Sequence, residues 1–81
     1  MRELKVGELY YHYKNPDKLY RIEWIAKLQK RETEELEECV VYRALYDSDE
    51  FGNEALWVRP KDMFLEMVVI NGETIPRFTL V

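Results

Sequence analysis

Apolar and polar residues alternate along most of this chain with a period of two, the spacing of half-buried strands and not of helices. Residues 6–14, Val-Gly-Glu-Leu-Tyr-Tyr-His-Tyr-Lys, read as a first strand. Leu9, Tyr11 and Tyr13 fall on one face, and Tyr10, His12 and Lys14 on the other. Asn15-Pro16-Asp17 is a turn, because proline fixes φ and Asx side chains cap a bend. Alternation resumes over residues 19–28, with Tyr20, Ile22, Trp24, Ala26 and Leu28 on a shared face expected to be core.

Residues 27–38 are rich in helix formers, but Leu28 and Leu36 are too far apart for an apolar stripe. The tip of a long, charged hairpin fits better, with a short helix as the alternative. Residues 39–46 are apolar on both faces apart from Arg43, as in a central strand covered on both sides. Residues 47–53 have loop composition, and residues 55–59 form another strand that Pro60 ends. Pro60 to Met63 suits one helical turn with proline at its first position. Two further strands, 64–70 and 74–80, flank Asn71-Gly72, the favoured dipeptide of a type I′ hairpin. Five or six short strands with at most one short helical turn give an all-β class. At 81 residues a small, bent SH3-like barrel or roll hides its edges better than a sandwich.

The blocks of this chain resemble a known family in their order. Gly7 to Lys14, the pair Glu32-Thr33, Val40 to Tyr46, Leu56 to Pro60, Met63 to Glu66 and Pro76 to Phe78 are together similar to the small bacterial family called domain of unknown function 1653. The resemblance covers nearly the whole chain. It implies a compact SH3-like barrel and no activity. Two departures stand out. No His-Ser precedes Glu32-Thr33, whose hairpin is lengthened, and the loop from Asp47 to Glu54 is long.

Length implies one domain, residues 1–81, with one core. Such a chain buries only about 60–65% of its unfolded surface, so large side chains must pack it. Six Tyr, three Phe and two Trp are available for that purpose. The single cysteine, Cys39, excludes an intrachain disulfide. No apolar signal region follows the first methionine, and the longest aliphatic run, Met67 to Ile70, is too short to span a bilayer. A reducing cytoplasmic setting without membrane association is expected. The net charge of −4 argues against a general nucleic-acid binder, though not against a local basic patch.

Little catalytic chemistry is visible. His12 and Cys39 are the sole imidazole and thiol, short of the four ligands of a structural zinc site. Cys39 on a central strand reads as packing, and Ser48, the only serine, lies in a loop. Asp47 to Gly52 resembles the start of a calcium loop, yet Phe51 and Val58 stand where oxygen ligands belong. Ala44-Leu45-Tyr46-Asp47 matches the signature that opens SH3 peptide-binding domains but comes too late in the chain to do so. No cofactor and no enzyme activity are expected.

The remaining candidate is a binding patch. Leu56 and Val58 share one face of their strand, leaving Trp57 and Arg59 on the other. If the outer faces converge, Tyr10, His12, Arg43, Trp57 and Arg59 make a shallow surface. Aromatic residues beside arginine favour recognition of an acidic group on a protein or small ligand. Single-stranded nucleic acid or a nucleotide is the alternative ligand. The competing view is that Arg43 and Arg59 pair with Glu23, Glu66 or another acidic neighbour and stack on Trp57 to lock the barrel.

Overall fold

Strand pairing, rather than alternation alone, decides which side of each ribbon faces inward here. The computed structural model describes residues 3–81; Met1 and Arg2, where the reading of the chain's start begins, lie outside the described residues. Five antiparallel strands form the main sheet: β1 (Leu9–His12), β2 (Asn15–Gln29), β3 (Leu36–Ala44), β6 (Leu56–Pro60) and β9 (Phe78–Leu80). Their spatial order is β6-β3-β2-β1-β9. Two short hairpins, β4 (Asp47–Ser48) with β5 (Gly52–Asn53) and β7 (Met67–Ile70) with β8 (Glu73–Pro76), complete the strands. One helical turn, α1 (Lys61–Phe64), follows β6. The described residues thus form an all-β structure with one short helical turn, the class that the periodicity predicts.

One face of the sheet carries the core. Register sets Tyr10 opposite Tyr20, Ile22 opposite Tyr42, and Tyr20 opposite Ala44. Tyr10, Ile22, Val40 and Tyr42 are buried there with Phe78, and Leu4 and Phe64 close over them. Phe64 and Phe78 stack with centroids 4.2 Å apart. Tyr10 and Tyr42 meet Phe64 edge-on at 5.2 and 5.4 Å. Interlocked rings of this kind bury the most area per residue, which a short chain requires.

This geometry corrects several facial assignments. Tyr10 is only 4% exposed and belongs to the core, not to an outer face. On β6, Leu56 and Val58 point outward while Trp57 packs against the core cluster. On β2, Ile22 faces Tyr42 and Trp24 faces Val41, so Glu23 is an extra residue in the ladder. Such a bulge re-aims everything after it. Trp24, expected in the core with Ile22, is therefore 56% exposed, and Ala26 and Leu28 follow it outward.

Past the bulge, β2 and β3 run on as an exposed arm. Lys30 N–H donates to the Glu35 carbonyl at 2.8 Å, and Glu34 turns the chain with φ of 60°. The lengthened hairpin forms, and the alternative helix over residues 27–38 does not. β3 is an interior strand, between β6 and β2, with Cys39, Val40, Tyr42 and Ala44 buried, but Val41 and Arg43 stay half-buried on a face that nothing fully covers. The expected loop 47–53 contains the β4–β5 hairpin, where Ser48 Oγ accepts the N–H groups of Glu50 and Phe51 at 3.2 Å. Pro60 (φ −53°, ψ 139°) sits just before α1, one position earlier than its expected place inside the turn. Asn71 and Gly72 both take left-handed φ, 51° and 80°, as a type I′ turn demands. No helix among the described residues is long and apolar enough to cross a membrane.

Candidate functional site

At one end the inner face is left partly open. On the β3 side Tyr20 faces the small Ala44, and on the β6 side Tyr42 faces Trp57. A cleft of about 390 Å³ results. Tyr20, Tyr42, Tyr46 and Phe78 line it from the sheet side, and Phe51 and Trp57 meet edge-to-face at 4.8 Å beside them. His12 contributes from the end of β1, Lys14 from the Tyr13-Lys14 turn, Asn15 from the start of β2, where Asn15 to Asp17 are strand and not the expected turn, and Arg59 from β6.

Arg59 is held without being neutralised. Its Nε donates to the Tyr42 hydroxyl at 3.2 Å, and its guanidinium lies over the Phe78 ring, 5.5 Å from the centroid. Phe78 is itself stacked on Phe64. A hydrogen bond from one side and an aromatic face from another fix the group. Yet no carboxylate among the described residues comes within 4.0 Å of it. Other cations are paired: Arg21 and Arg43 with Glu23 at 2.8 and 3.5 Å, Arg77 with Glu66 at 3.2 Å, and Lys61 with Glu38 at 3.0 Å. With Nε engaged, the terminal nitrogens of Arg59 remain as a fork suited to a bidentate oxyanion.

The neighbours of Arg59 are mostly donors. His12 Nδ1 accepts the Lys14 backbone N–H at 3.2 Å, which leaves the proton of the neutral ring on Nε2. Burial, then the positive charges of Arg59, Arg77 and Lys14, hold the imidazole below its ordinary range, so it is neutral at pH 7. Tyr20 and Tyr46 share a hydroxyl–hydroxyl hydrogen bond. Burial and that bond push the Tyr20 phenol up, so it keeps its proton. Lys18 Nζ lies 4.8 Å above the Tyr46 ring and, like Lys14, has no carboxylate partner among the described residues. Among the described residues no acidic side chain lines the cleft, although the chain carries a net charge of −4.

Three of the five residues expected to form a patch, His12, Trp57 and Arg59, come together here, on the inner face and not the outer one. Tyr10 does not join them. It packs against Phe64, and its hydroxyl donates to the Glu8 carboxylate at 3.0 Å. Arg43 lies on the opposite face, across from Arg21 and Leu56, where it holds Glu23 and the Glu54 carbonyl. Arg43 thus has the acidic partner that the competing view expects, whereas Arg59 has none among the described residues and stacks on Phe78. Cys39 does not line the cleft; burial, then Glu37, push its thiol up.

Sequence reasoning missed Lys14, Asn15, Tyr20, Tyr42, Tyr46, Phe51 and Phe78 as cleft residues. The parity that Tyr42 shares with Val40 and Ala44 was the one usable signal, since two small apolar neighbours mark an inner face.

The family model described as Protein of unknown function (DUF1653) matches residues 8–80. The chain belongs to this family. In this DUF1653 protein the matched span runs from just before β1 to the end of β9, so every cleft residue lies within it. No curated protein and no solved structure matches the chain.

Proposed function

We propose that this DUF1653 protein is a binding module and not an enzyme, and that its cleft takes an acidic group of a protein or small ligand on Arg59. The supporting observation is an arginine fixed by Tyr42 and Phe78 in a cleft that offers it no counter-charge. A half-buried cation is normally paired within the fold. One held rigid and unpaired has its ordering cost already met, so an incoming oxyanion gains most of the interaction energy. The aromatic lining by itself would also suit a quaternary ammonium ion. The charges oppose that ligand, because Arg59, Lys14 and Lys18 would repel it. Among the described residues no carboxylate lines the cleft beside His12, whose ring stacks on Tyr13 and meets Phe78 edge-on.

Titration of the ¹⁵N-labelled protein with benzoate and with inorganic phosphate tests this reading. Amide and indole signals of His12, Trp57 and Arg59 should shift in a saturable manner. Arg59→Gln should abolish the shifts and Arg59→Lys should weaken them, while Arg43→Gln should leave them in place. Undiminished shifts in a folded Arg59→Gln variant would remove the proposal.

A further inference from the structure

The cleft offers more than an arginine fork, and the additional groups narrow the class of ligand. Resting on the acidic-group reading above, we infer that the ligand is a nucleoside monophosphate, with its phosphate on Arg59 and Lys14, its base against Trp57, and its base edge on Asn15. Arg59 and Lys14 come from distant parts of the chain, yet both line the cleft with His12, whose ring feels the charge of each. Two cations and the His12 Nε2–H form a donor set larger than one carboxylate can use but suited to the three oxygens of a phosphate monoester.

The aromatic side chains supply the second part. Trp57 and Phe51 meet at the cleft next to Tyr42 and Tyr46. A flat heterocycle is the ligand portion that gains from such surfaces. Asn15 supplies the third part. It is the one lining side chain with a carboxamide, which donates and accepts at once, the pairing used to read a base edge. A simple acid would leave Asn15 and Trp57 without a task. The volume of about 390 Å³ also fits one small ligand, near the lower end of the usual ~300–1,000 Å³ range for such sites.

A longer strand is disfavoured by what borders the cleft. The turn that carries Phe51 to the cleft also carries exposed Asp49 and Glu50, and the whole chain is at −4. A continuing phosphate backbone needs a run of cations and would meet carboxylates instead.

Isothermal titration calorimetry of the full chain at pH 7 and low salt separates these cases. The probes are adenosine, guanosine, cytidine and uridine 5′-monophosphates, their nucleosides, inorganic phosphate, benzoate and short oligonucleotides. At least one monophosphate should bind tenfold or more tightly than both its nucleoside and inorganic phosphate. Trp57→Leu should lower that affinity at least tenfold. Asn15→Ala should change the order among the four nucleotides without removing phosphate binding. Monophosphates no tighter than phosphate or benzoate would overturn the nucleotide assignment while leaving the acidic-group reading in place. Affinity that climbs steadily with oligonucleotide length would overturn it in favour of a strand. An unchanged order in Asn15→Ala would overturn the base-reading role. Absence of binding by every anion would overturn both readings together.

Discussion

The bulge at Glu23 makes a quantitative claim about two aromatic residues. Phe64→Ala removes a ring that is 1% exposed, stacked at 4.2 Å on Phe78 and in edge contact with Tyr10 and Tyr42. Substitutions of this kind cost about 3–5 kcal/mol, since surrounding rings cannot collapse into the space. Trp24→Ala removes a larger ring that is 56% exposed. A fully buried aromatic side chain removes about 150–250 Å² from water, so less than half of that, about 100 Å², is at stake here. At about 25 cal/mol per Å² the ceiling is about 2.5 kcal/mol, and it leaves no cavity. The expected loss is about 1–2 kcal/mol. A domain of this length has about 4–12 kcal/mol in total, so the two variants should separate clearly in urea denaturation. In a Trp57→Phe background, emission from Trp24 should be that of a water-exposed indole and readily quenched by acrylamide. If Trp24→Ala costs as much as Phe64→Ala, or if Trp24 resists quenching, alternation runs unbroken through β2. The bulge would then be wrong, together with the outward course of the arm.

Three further outcomes follow from individual contacts. Glu23→Gln strips the shared partner of Arg21 and Arg43; the loss should be about 0.5–1 kcal/mol by denaturant melt, in keeping with half-exposed ion pairs, with anion shifts at Trp57 unchanged. His12 has a folded-state proton affinity below its unfolded value of 6.5, because of burial and then Arg59, Arg77 and Lys14. The unfolded chain therefore binds more protons below that pH. Stability from this site should be fully present above about 6.5 and fall as the pH drops toward the lowered folded value; melting temperatures from pH 7.5 to 5 should decline less in His12→Gln. Cys39 is 3% exposed with its thiol pushed up by burial, so alkylation by iodoacetamide should be slow in the native protein and should speed up at the urea midpoint of unfolding.

Local chemistry was legible wherever one residue type dictates a backbone state. Asn71-Gly72 announces its turn because few other pairs accept two positive φ values. Pro60 closes β6 and opens α1 because its φ is preset and it has no N–H to donate. The charged arm was legible because Leu28 and Leu36 cannot make a helical stripe. Facing was not legible, for a physical reason that recurs. In β1 both parities are aromatic, so Leu9-Tyr11 and Tyr10-His12 offer nearly equal inner faces, and only pairing with Tyr20 and Phe78 selects the second. In β6 an aliphatic parity, Leu56-Val58, competes with Trp57-Arg59, and hydropathy favours the wrong one. Trp57 nonetheless buries more apolar area inside than either aliphatic residue, and Arg59 can follow it only because Tyr42 and Phe78 accept its polar edge and its flat face.

That last dependence links the fold to the site. An arginine on an inner parity must be neutralised, solvated or stacked. Among the described residues no carboxylate neutralises Arg59; Phe78 covers one face and the Tyr42 hydroxyl takes one N–H. The terminal nitrogens then require contact with water or an anion, which is why the sheet cannot close over them. Filling the position with an aliphatic side chain would complete the core and abolish the cleft. Arg59→Met should therefore raise stability, or leave it level, while anion binding is lost, as happens when buried charges give way to apolar side chains of similar volume. A marked loss of stability in Arg59→Met would mean that the guanidinium is a keystone of the packing, and the opening beside it only a consequence.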